Sequence, residues 1–342
     1  MTSSMRLFQT VRDLVALESI TGSEEPVVEY LERELNEMGL AVRSEVIAEG
    51  RRNLYAGPER PGVLFCTHTD TVPPFLPPRE DSKYIYGRGA CDTKGIQACM
   101  LAAGRKLLAS GYQDFGYLFV VGEEVDNIGA RTANRSVRCG HVIVGEPTDN
   151  RVAVGHKGVL ALRVQVAGVA AHSAYPDKGD SAVHRLVAAL HRLQGTDFGS
   201  SDVLGPASVN VGTVRGGVAP NVFAPSAEAT VVVRVVEDID ATEVRVRECF
   251  RNPLTGEEDP NVELEFLSRM KIPRLERVEG FPETVVSFGT DVPFLEDVGK
   301  AVLFGPGSIF DAHTDGEKVE KAALIQAVDD YVGIARRVSG AE

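Results

Sequence analysis

The sequence has few cysteines and no long apolar run. Five cysteines occur among 342 residues, an odd number without CxxC spacing. A disulfide framework is therefore not expected, and a reducing compartment such as the cytoplasm is favoured. No segment approaches the ~18 apolar residues of a membrane-spanning helix, and the first residues lack the pattern of a signal peptide. We therefore predict a cytoplasmic protein without a membrane partner.

Positive charge is also scarce relative to negative charge. Lysine and arginine number 36 against 49 aspartates and glutamates, which gives a formal net charge of −13. An acidic surface argues against nucleic acid or an anionic membrane as the main partner. The composition is otherwise that of a globular protein. A chain of this length rarely folds around one core, so we predict two domains.

Patterns typical of buried strands alternate with helical patterns in the first part of the chain. The apolar runs at 62–68, 116–124 and 141–147 predict strands, and residues 97–108 predict a helix between the first two. This alternation predicts a mostly parallel sheet flanked by helices. Two late segments, VVSFGTD and KAVLFGPG, look like further core strands of the same sheet.

The pattern changes between residues 157 and 268. Strand and helix signals there follow the order β-α-β-β-α-β, which is typical of a ferredoxin-like α+β domain. We therefore predict that residues 157–268 form a domain inserted into a first domain made of residues 1–156 and 269–342.

The first three predicted strands of the first domain end in residue types that can bind metals or carry protons. His68 and Asp70 follow the first strand, Glu123 and Glu124 the second, and Glu146 the third. Ligands of open α/β sheets bind beyond the carboxyl ends of the strands. Three strand ends with such residues predict one site on one rim of the sheet.

Each of these motifs also has a purely structural interpretation. His68 is a ligand oriented by Asp70, or a histidine with satisfied hydrogen bonds at a strand end. Asp92, in GRGACDTKG, is a carboxylate bridging two cations or the N-cap of the following helix. Adjacent strand residues point to opposite sides, so Glu123 and Glu124 are expected to have different roles unless they form a solvated acidic loop.

A late motif, His313-Thr314-Asp315, supplies a second histidine. Two histidines and three carboxylates suit Zn²⁺, with Co²⁺ or Mn²⁺ as alternatives. The same set does not suit Ca²⁺, which prefers oxygen ligands alone.

Five motifs follow one another in a recognisable order: HTDTVP, GRGACDTKG, GEE, GEPT and HTDGE. Together they resemble the M20 family of metal-dependent amidohydrolases and peptidases, which includes acetylornithine deacetylase and succinyl-diaminopimelate desuccinylase. The resemblance spans nearly the whole chain. It implies that one divalent ion is held by His68, Asp92 and Glu146, and a second by Asp92, Glu124 and His313.

The resemblance also implies roles for residues that do not bind metal. Glu123 would be the general base and Asp70 the residue that orients His68. The inserted domain would be a lid that also forms a homodimer, and His172 would stabilise the oxyanion, usually across the dimer. The residues implied in substrate binding are Asn221, Arg234 and Thr290.

Three functions remain open from the sequence. The first is a zinc-dependent deacylase of a small N-acyl amino acid, such as a deacetylase of amino-acid biosynthesis. The second is a dipeptidase or carboxypeptidase acting on short peptides with the same scaffold. The third is a metal-binding protein without catalytic activity. Residues 251–280 carry no pattern that identifies the acyl group.

Overall fold

The computed structural model describes residues 2–341, which form two compact units. Unit 1 comprises the chain up to Val154, Arg274–Val285 and the chain from Thr290 onward, and unit 2 comprises Gly155–Pro273 and Val286–Gly289. The predicted domain boundaries, 1–156 with 269–342 for the first domain and 157–268 for the inserted domain, stay a prediction.

Within the described residues, the regular elements are seven α-helices, seventeen strands and two short 3₁₀ helices, Pro176–Lys178 and Val292–Phe294. The helices are α1 (Ser3–Val15), α2 (Glu25–Glu37), α3 (Lys94–Ala109), α4 (Ile128–Ser136), α5 (Ala182–Gly195), α6 (Ile239–Cys249) and α7 (Lys321–Ser339). The strands are β1 (Val42–Ala48), β2 (Arg51–Ala56), β3 (Val63–His68), β4 (Arg79–Glu80), β5 (Tyr84–Tyr86), β6 (Phe115–Val120), β7 (His141–Val144), β8 (Val152–His156), β9 (Gly158–Ala167), β10 (Ser200–Ser201), β11 (Gly205–Pro206), β12 (Ser208–Gly216), β13 (Ser226–Val235), β14 (Val262–Met270), β15 (Glu283–Val286), β16 (Lys300–Leu303) and β17 (Lys318–Glu320). No helix in this part of the chain combines the length and apolar character that a membrane crossing needs.

The main sheet has eight strands in the order β1-β2-β6-β3-β7-β16-β8-β15. Its centre is parallel, since β3 pairs in parallel with β6 and β7, and β7 in parallel with β16. Strands β3 and β6 are buried along their whole length, as expected for strands covered on both faces. Helices α1, α2, α3 and α7 share one apolar core with this sheet. The predicted mixed, mostly parallel sheet is confirmed.

Four predicted strands end earlier than their apolar patterns suggest, among them β7 at Val144 and β16 at Leu303. Strand β6 ends at Val120, so Glu123 and Glu124 lie in a turn. The prediction that they alternate along a strand is therefore wrong. Strand β15 ends at Val286, and the rest of VVSFGTD is not strand. Beyond β6, the Asp70 carboxylate rather than a neighbouring strand accepts the backbone N–H groups of the turn.

Unit 2 contains a four-stranded sheet in the order β12-β13-β9-β14. All three strand pairs are antiparallel, and alternate residues of β9 and β13 are buried. These buried residues form a second apolar core with α5 and α6. The order β9-α5-β12-β13-α6-β14 confirms the predicted ferredoxin-like α+β arrangement, with the short hairpin β10–β11 as an addition.

Candidate metal centre

Three neighbouring parallel strands of unit 1 deliver polar residues to the same rim of the sheet. His68 is the last residue of β3, and it pairs with Val120, the last residue of β6. Glu123 and Glu124 lie just beyond β6, and Glu146 lies two residues beyond β7. Because parallel strands end at the same edge, these side chains converge as the sequence predicts.

Asp92 lies between two histidines that are far apart in the sequence. It precedes α3, and its Oδ1 accepts a hydrogen bond of 3.1 Å from His68 Nε2. Its other oxygen, Oδ2, lies 3.3 Å from Nε2 of His313. His313 Nε2 also lies 3.1 Å from Glu124 Oε1. One carboxylate thus presents one oxygen to each imidazole, which is the arrangement expected of a bridging ligand.

Three of these residues form a cluster that could hold a metal ion. One ligand atom each from His68, Asp92 and Glu124 lies within 4.8 Å of the others. The side chain of His68 is 1% exposed and that of Glu124 6%. That of His313 is 46% exposed, so the cluster can be reached from solvent on that side.

The carboxylates of the cluster repel one another electrostatically. Burial raises the pKa of Glu123 well above its usual value, and the Glu146 carboxylate adds to this rise. Burial and the Asp92 carboxylate raise the pKa of Glu146 in the same way. Burial raises the pKa of Glu124 by more than the hydrogen bond from His313 lowers it. Bound positive charge would relieve this repulsion.

The two histidines respond in the opposite direction. Burial opposes protonation of His68, but its hydrogen bonds to Asp70 and Asp92 outweigh burial and raise its pKa well above the usual range. Hydrogen bonds to Asp92 and Glu124 raise the pKa of His313 to about 10. Imidazole nitrogens with carboxylate oxygens fit Zn²⁺, Co²⁺ or Mn²⁺ as donors.

Asp70 contacts both His68 and the acidic turn. Its backbone oxygen accepts a hydrogen bond of 2.9 Å from His68 Nδ1, which leaves Nε2 directed at Asp92. Its carboxylate accepts the backbone N–H groups of Gly122, Glu123 and Glu124. Sequence reasoning assigned Asp70 only to the imidazole, because the turn contacts join residues more than 50 positions apart.

Buried polar residues support the site, and two of them, Thr21 and Asn127, were not predicted from the sequence. Thr21 donates a hydrogen bond of 2.7 Å to Asp70 Oδ2. Asn127 donates one of 3.0 Å to Asp291, whose pKa burial and Asp70 raise to about 6. The neighbouring Thr290 is fully buried, and its hydroxyl accepts the Val292 amide. Its role in substrate binding stays a prediction. In the sequence, Asp291 belongs to the segment Gly289-Thr290-Asp291, which resembles a substrate loop of the family.

The remaining predicted site residues belong to unit 2. His172 is exposed, and its Nδ1 accepts the Ala174 amide at 3.2 Å. The segments that contain His172 and Asn221 are neighbours, because the backbone N–H of Ser173 donates a hydrogen bond of 2.9 Å to the backbone oxygen of Asn221. Arg234 is partly buried on β13, and burial lowers its pKa.

Comparisons with known proteins agree with this architecture. Residues 154–254 match the family model of the peptidase dimerisation domain of M20 proteins. A tripeptidase structure from Staphylococcus aureus superposes with a TM-score of 0.83 at 20% identity, covering 98% of this chain and 99% of that chain. At this identity the likeness shows the fold.

Two fungal proteins are similar in sequence over nearly the whole chain. One, from Aspergillus clavatus, is named "Probable carboxypeptidase" and is 34% identical, covering 94% of this chain and 80% of that protein. The other is a peptidase M20 domain-containing protein of Schizosaccharomyces pombe. It is 36% identical over 333 residues, covering 94% of this chain and 82% of that protein. The resemblance inferred from the motifs is therefore confirmed, and the chain belongs to the M20 peptidase family.

Proposed function

We propose that this protein is a two-metal peptidase that hydrolyses the amide bond next to a free carboxylate in a short peptide. The observation that carries the proposal is the position of Asp92, with one carboxylate oxygen toward each of two histidines. The name of the A. clavatus relative, "Probable carboxypeptidase", supports peptides as the substrate class.

Two divalent ions, best matched by Zn²⁺, fit the donor set. His68, Asp92 and Glu146 would hold one ion, and Asp92, Glu124 and His313 the other. When bound, such ions supply Lewis-acid polarisation of the scissile carbonyl and lower the pKa of water. No thiolate is required.

The protein's own residues would move the proton and bind the substrate. Glu123 would accept a proton from water at its carboxylate and return it to the leaving nitrogen. Burial raises the pKa of the Glu123 carboxyl. A carboxyl with a raised pKa suits both the uptake and the release of the proton near neutral pH. Asp70 would keep His68 oriented through Nδ1 and hold the backbone of the turn that carries Glu123.

Arg234 is proposed to bind the substrate carboxylate. Among residues 2–341, no acidic side chain pairs with its guanidinium, and burial lowers its pKa. A partly buried guanidinium without an anion is costly, and a carboxylate ligand would offset that cost with two parallel hydrogen bonds. Asn221 and Thr290 are proposed to assist in binding.

A small N-acyl amino acid is the second candidate substrate. It carries the same two groups, an amide bond and a carboxylate, so the unpaired Arg234 would bind it equally well. The deacetylase and desuccinylase activities implied by the motif resemblance belong to this class.

A substrate panel tests the two candidates. The protein loaded with Zn²⁺, Co²⁺ or Mn²⁺ is assayed with dipeptides, tripeptides, N-acetyl and N-succinyl amino acids, and the same peptides with an amidated C-terminus. We expect cleavage of free-acid peptides and loss of cleavage on amidation. Faster turnover of acyl amino acids would favour the second candidate, and no hydrolysis by a fully metallated protein would refute both.

We also propose a homodimer formed through unit 2, supported by the match of residues 154–254 to the peptidase dimerisation domain. All five cysteines are free thiols. Free thiols support a cytoplasmic location, because reducing compartments preserve them.

Metal affinity should rise with pH. A metal-bound imidazole must be neutral, but contacts with Asp92 and Glu124 raise the pKa of His313 to about 10 in the metal-free protein. Below that pH, each ion that His313 binds must displace a proton. Calorimetric Zn²⁺ titrations in buffers of different ionisation enthalpy should detect this release, and His313→Ala should reduce it. Affinity independent of pH would contradict the assignment of His313.

His172→Ala should lower kcat strongly without changing metal content. Loss of one oxyanion donor costs about 10²–10³-fold in kcat. If His172 acts across the dimer, mixing this variant with Glu123→Gln should restore part of the activity, because some mixed dimers contain one intact site. Absence of rescue in verified mixed dimers would show that His172 does not act on the partner's site.

A further inference from the structure

A buried ion pair joins two of the motifs in unit 1. Arg88 belongs to GRGACDTKG and Glu317 to HTDGE, and Nη1 of Arg88 donates to Oε2 of Glu317. The arginine side chain is 2% exposed and the glutamate side chain 0%. Nothing in the proposed chemistry uses either residue.

Glu317 holds the backbone that carries Asp92. Its Oε1 accepts the N–H groups of Gly89, Cys91 and Asp92 at 2.9, 3.1 and 3.1 Å. A carboxylate that accepts several backbone N–H groups constrains the direction of each. The loop therefore presents Asp92 in a conformation that depends on where Glu317 lies.

Arg88 contacts the backbone of the loop that carries His313, and also the backbone of Pro74. Besides Glu317, its Nη1 lies 3.4 Å from the backbone oxygen of Thr314, the residue after His313. Its Nε donates to the backbone oxygen of Pro74 at 3.2 Å. His313 itself has a φ of 60°, a left-handed conformation that a residue with a side chain keeps only when its surroundings hold it.

We propose that Arg88 and Glu317 are positioning residues that set Asp92 against His313 and so determine the affinity for the ion that His313 binds. The inference rests on the metal-binding part of the proposed function. A buried ion pair is a weak source of stability, because the loss of hydration offsets much of the attraction. The contacts of Arg88 and Glu317 instead account for the placement of two proposed ligands, Asp92 and His313.

The effect should be selective for one of the two ions. His68 is delivered by β3, and its orientation depends on Asp70 rather than on Glu317. The ion bound by His68, Asp92 and Glu146 therefore keeps two ligands that the ion pair does not touch. The ion bound by Asp92, Glu124 and His313 has two ligands on the loops that Arg88 and Glu317 join.

The test is Zn²⁺ titration of the metal-free full-length protein and of Glu317→Gln, followed by calorimetry and by equilibrium dialysis. Changes in residues behind metal ligands typically cost 10–100-fold in metal affinity. We expect one of the two Zn²⁺ equivalents to bind about 10–100-fold more weakly, and the other to change much less. Arg88→Lys keeps the charge but cannot reach Glu317, Thr314 and Pro74 together. Arg88→Lys should therefore lower the affinity of the same Zn²⁺ equivalent. If Glu317→Gln does not fold, the Arg88→Lys result tests the inference by itself.

Glu34→Gln is the matched control. Glu34 is also a buried carboxylate of unit 1 paired with an arginine, Arg105, but between helices α2 and α3. It should lower the unfolding temperature without changing either Zn²⁺ affinity. The inference would be overturned if the Glu317 and Arg88 variants unfold at lower temperature but keep both Zn²⁺ affinities. It would also be overturned if both Zn²⁺ equivalents lost affinity equally. A wild-type protein that binds two Zn²⁺ ions but cleaves no substrate would instead refute the proposed function alone.

Discussion

Glu123→Gln should reduce kcat by about 10²–10⁴-fold, the usual contribution of a general base. Glutamine has nearly the same shape but cannot accept a proton from water at neutral pH. The backbone amide of residue 123 would still donate to Asp70, so the turn should keep its conformation. Metal content, far-UV circular dichroism and unfolding temperature should match those of the wild type. Steady-state kinetics on the best substrate of the panel measures the loss.

Asp126→Asn is the control for that experiment. Asp126 lies in the same turn and is exposed, and its Oδ1 accepts the Ile128 amide. Its substitution removes the same charge from the same loop, and kcat should stay unchanged. A Glu123→Gln variant that keeps more than about a tenth of wild-type turnover would rule out Glu123 as the base, given the size of such effects. Equal losses in both variants would indicate an electrostatic effect of the turn instead.

Asp92→Asn should abolish binding of both ions rather than one. Its two oxygens face His68 and His313 separately, and an asparagine offers one neutral oxygen and a nitrogen that cannot ligate. The loss in affinity should exceed the roughly 10–100-fold that changes behind the ligands cost. Activity should disappear with the metal. Metal analysis after dialysis, with calorimetry for residual affinity, measures the effect.

Asp114→Asn is the matched control for Asp92. Asp114 accepts the Gly62 amide at 2.8 Å, at the start of β3 and so at the opposite end of the strand from His68. It should keep two ions. An Asp92→Asn protein that still binds one ion with wild-type affinity would mean that Asp92 serves a single ion, and the bridging assignment would fail.

The strand ends show how far a one-dimensional pattern can place a site. His68 and Glu146 lie where the apolar runs predict, because fully buried parallel strands have a continuous apolar pattern that stops at the rim. The expectation that Glu123 and Glu124 differ in role rested on strand alternation, and the turn after Val120 makes that argument wrong. The specific roles come from the motif resemblance. Asp70, more than 50 residues away in the sequence, accepts both backbone amides. The two side chains differ in their neighbours, since His313 Nε2 lies 3.1 Å from Glu124 Oε1, whereas the Glu146 carboxylate acts on Glu123.

His313 and Glu317 illustrate the other limit. Their motif follows the first ligand by more than 240 residues, and no local pattern brings it to Asp92. Motif order alone pointed to His313. Glu317 was passed over although it bonds three amides around Asp92, since a glutamate near a chain turn looks like an ordinary solvated residue.

The amino-acid sequence by itself determined the class of protein: apolar periodicity specified the sheet and the inserted α+β unit, and the order of five motifs specified the family. The tertiary structure alone decided how the proposed ligands meet, with Asp92 between two histidines and the acidic turn bound by Asp70. The physical reason is the distance in sequence between the residues that interact. Burial patterns are local and repeat every two or four residues, whereas the hydrogen bonds that orient ligands join residues up to 229 positions apart.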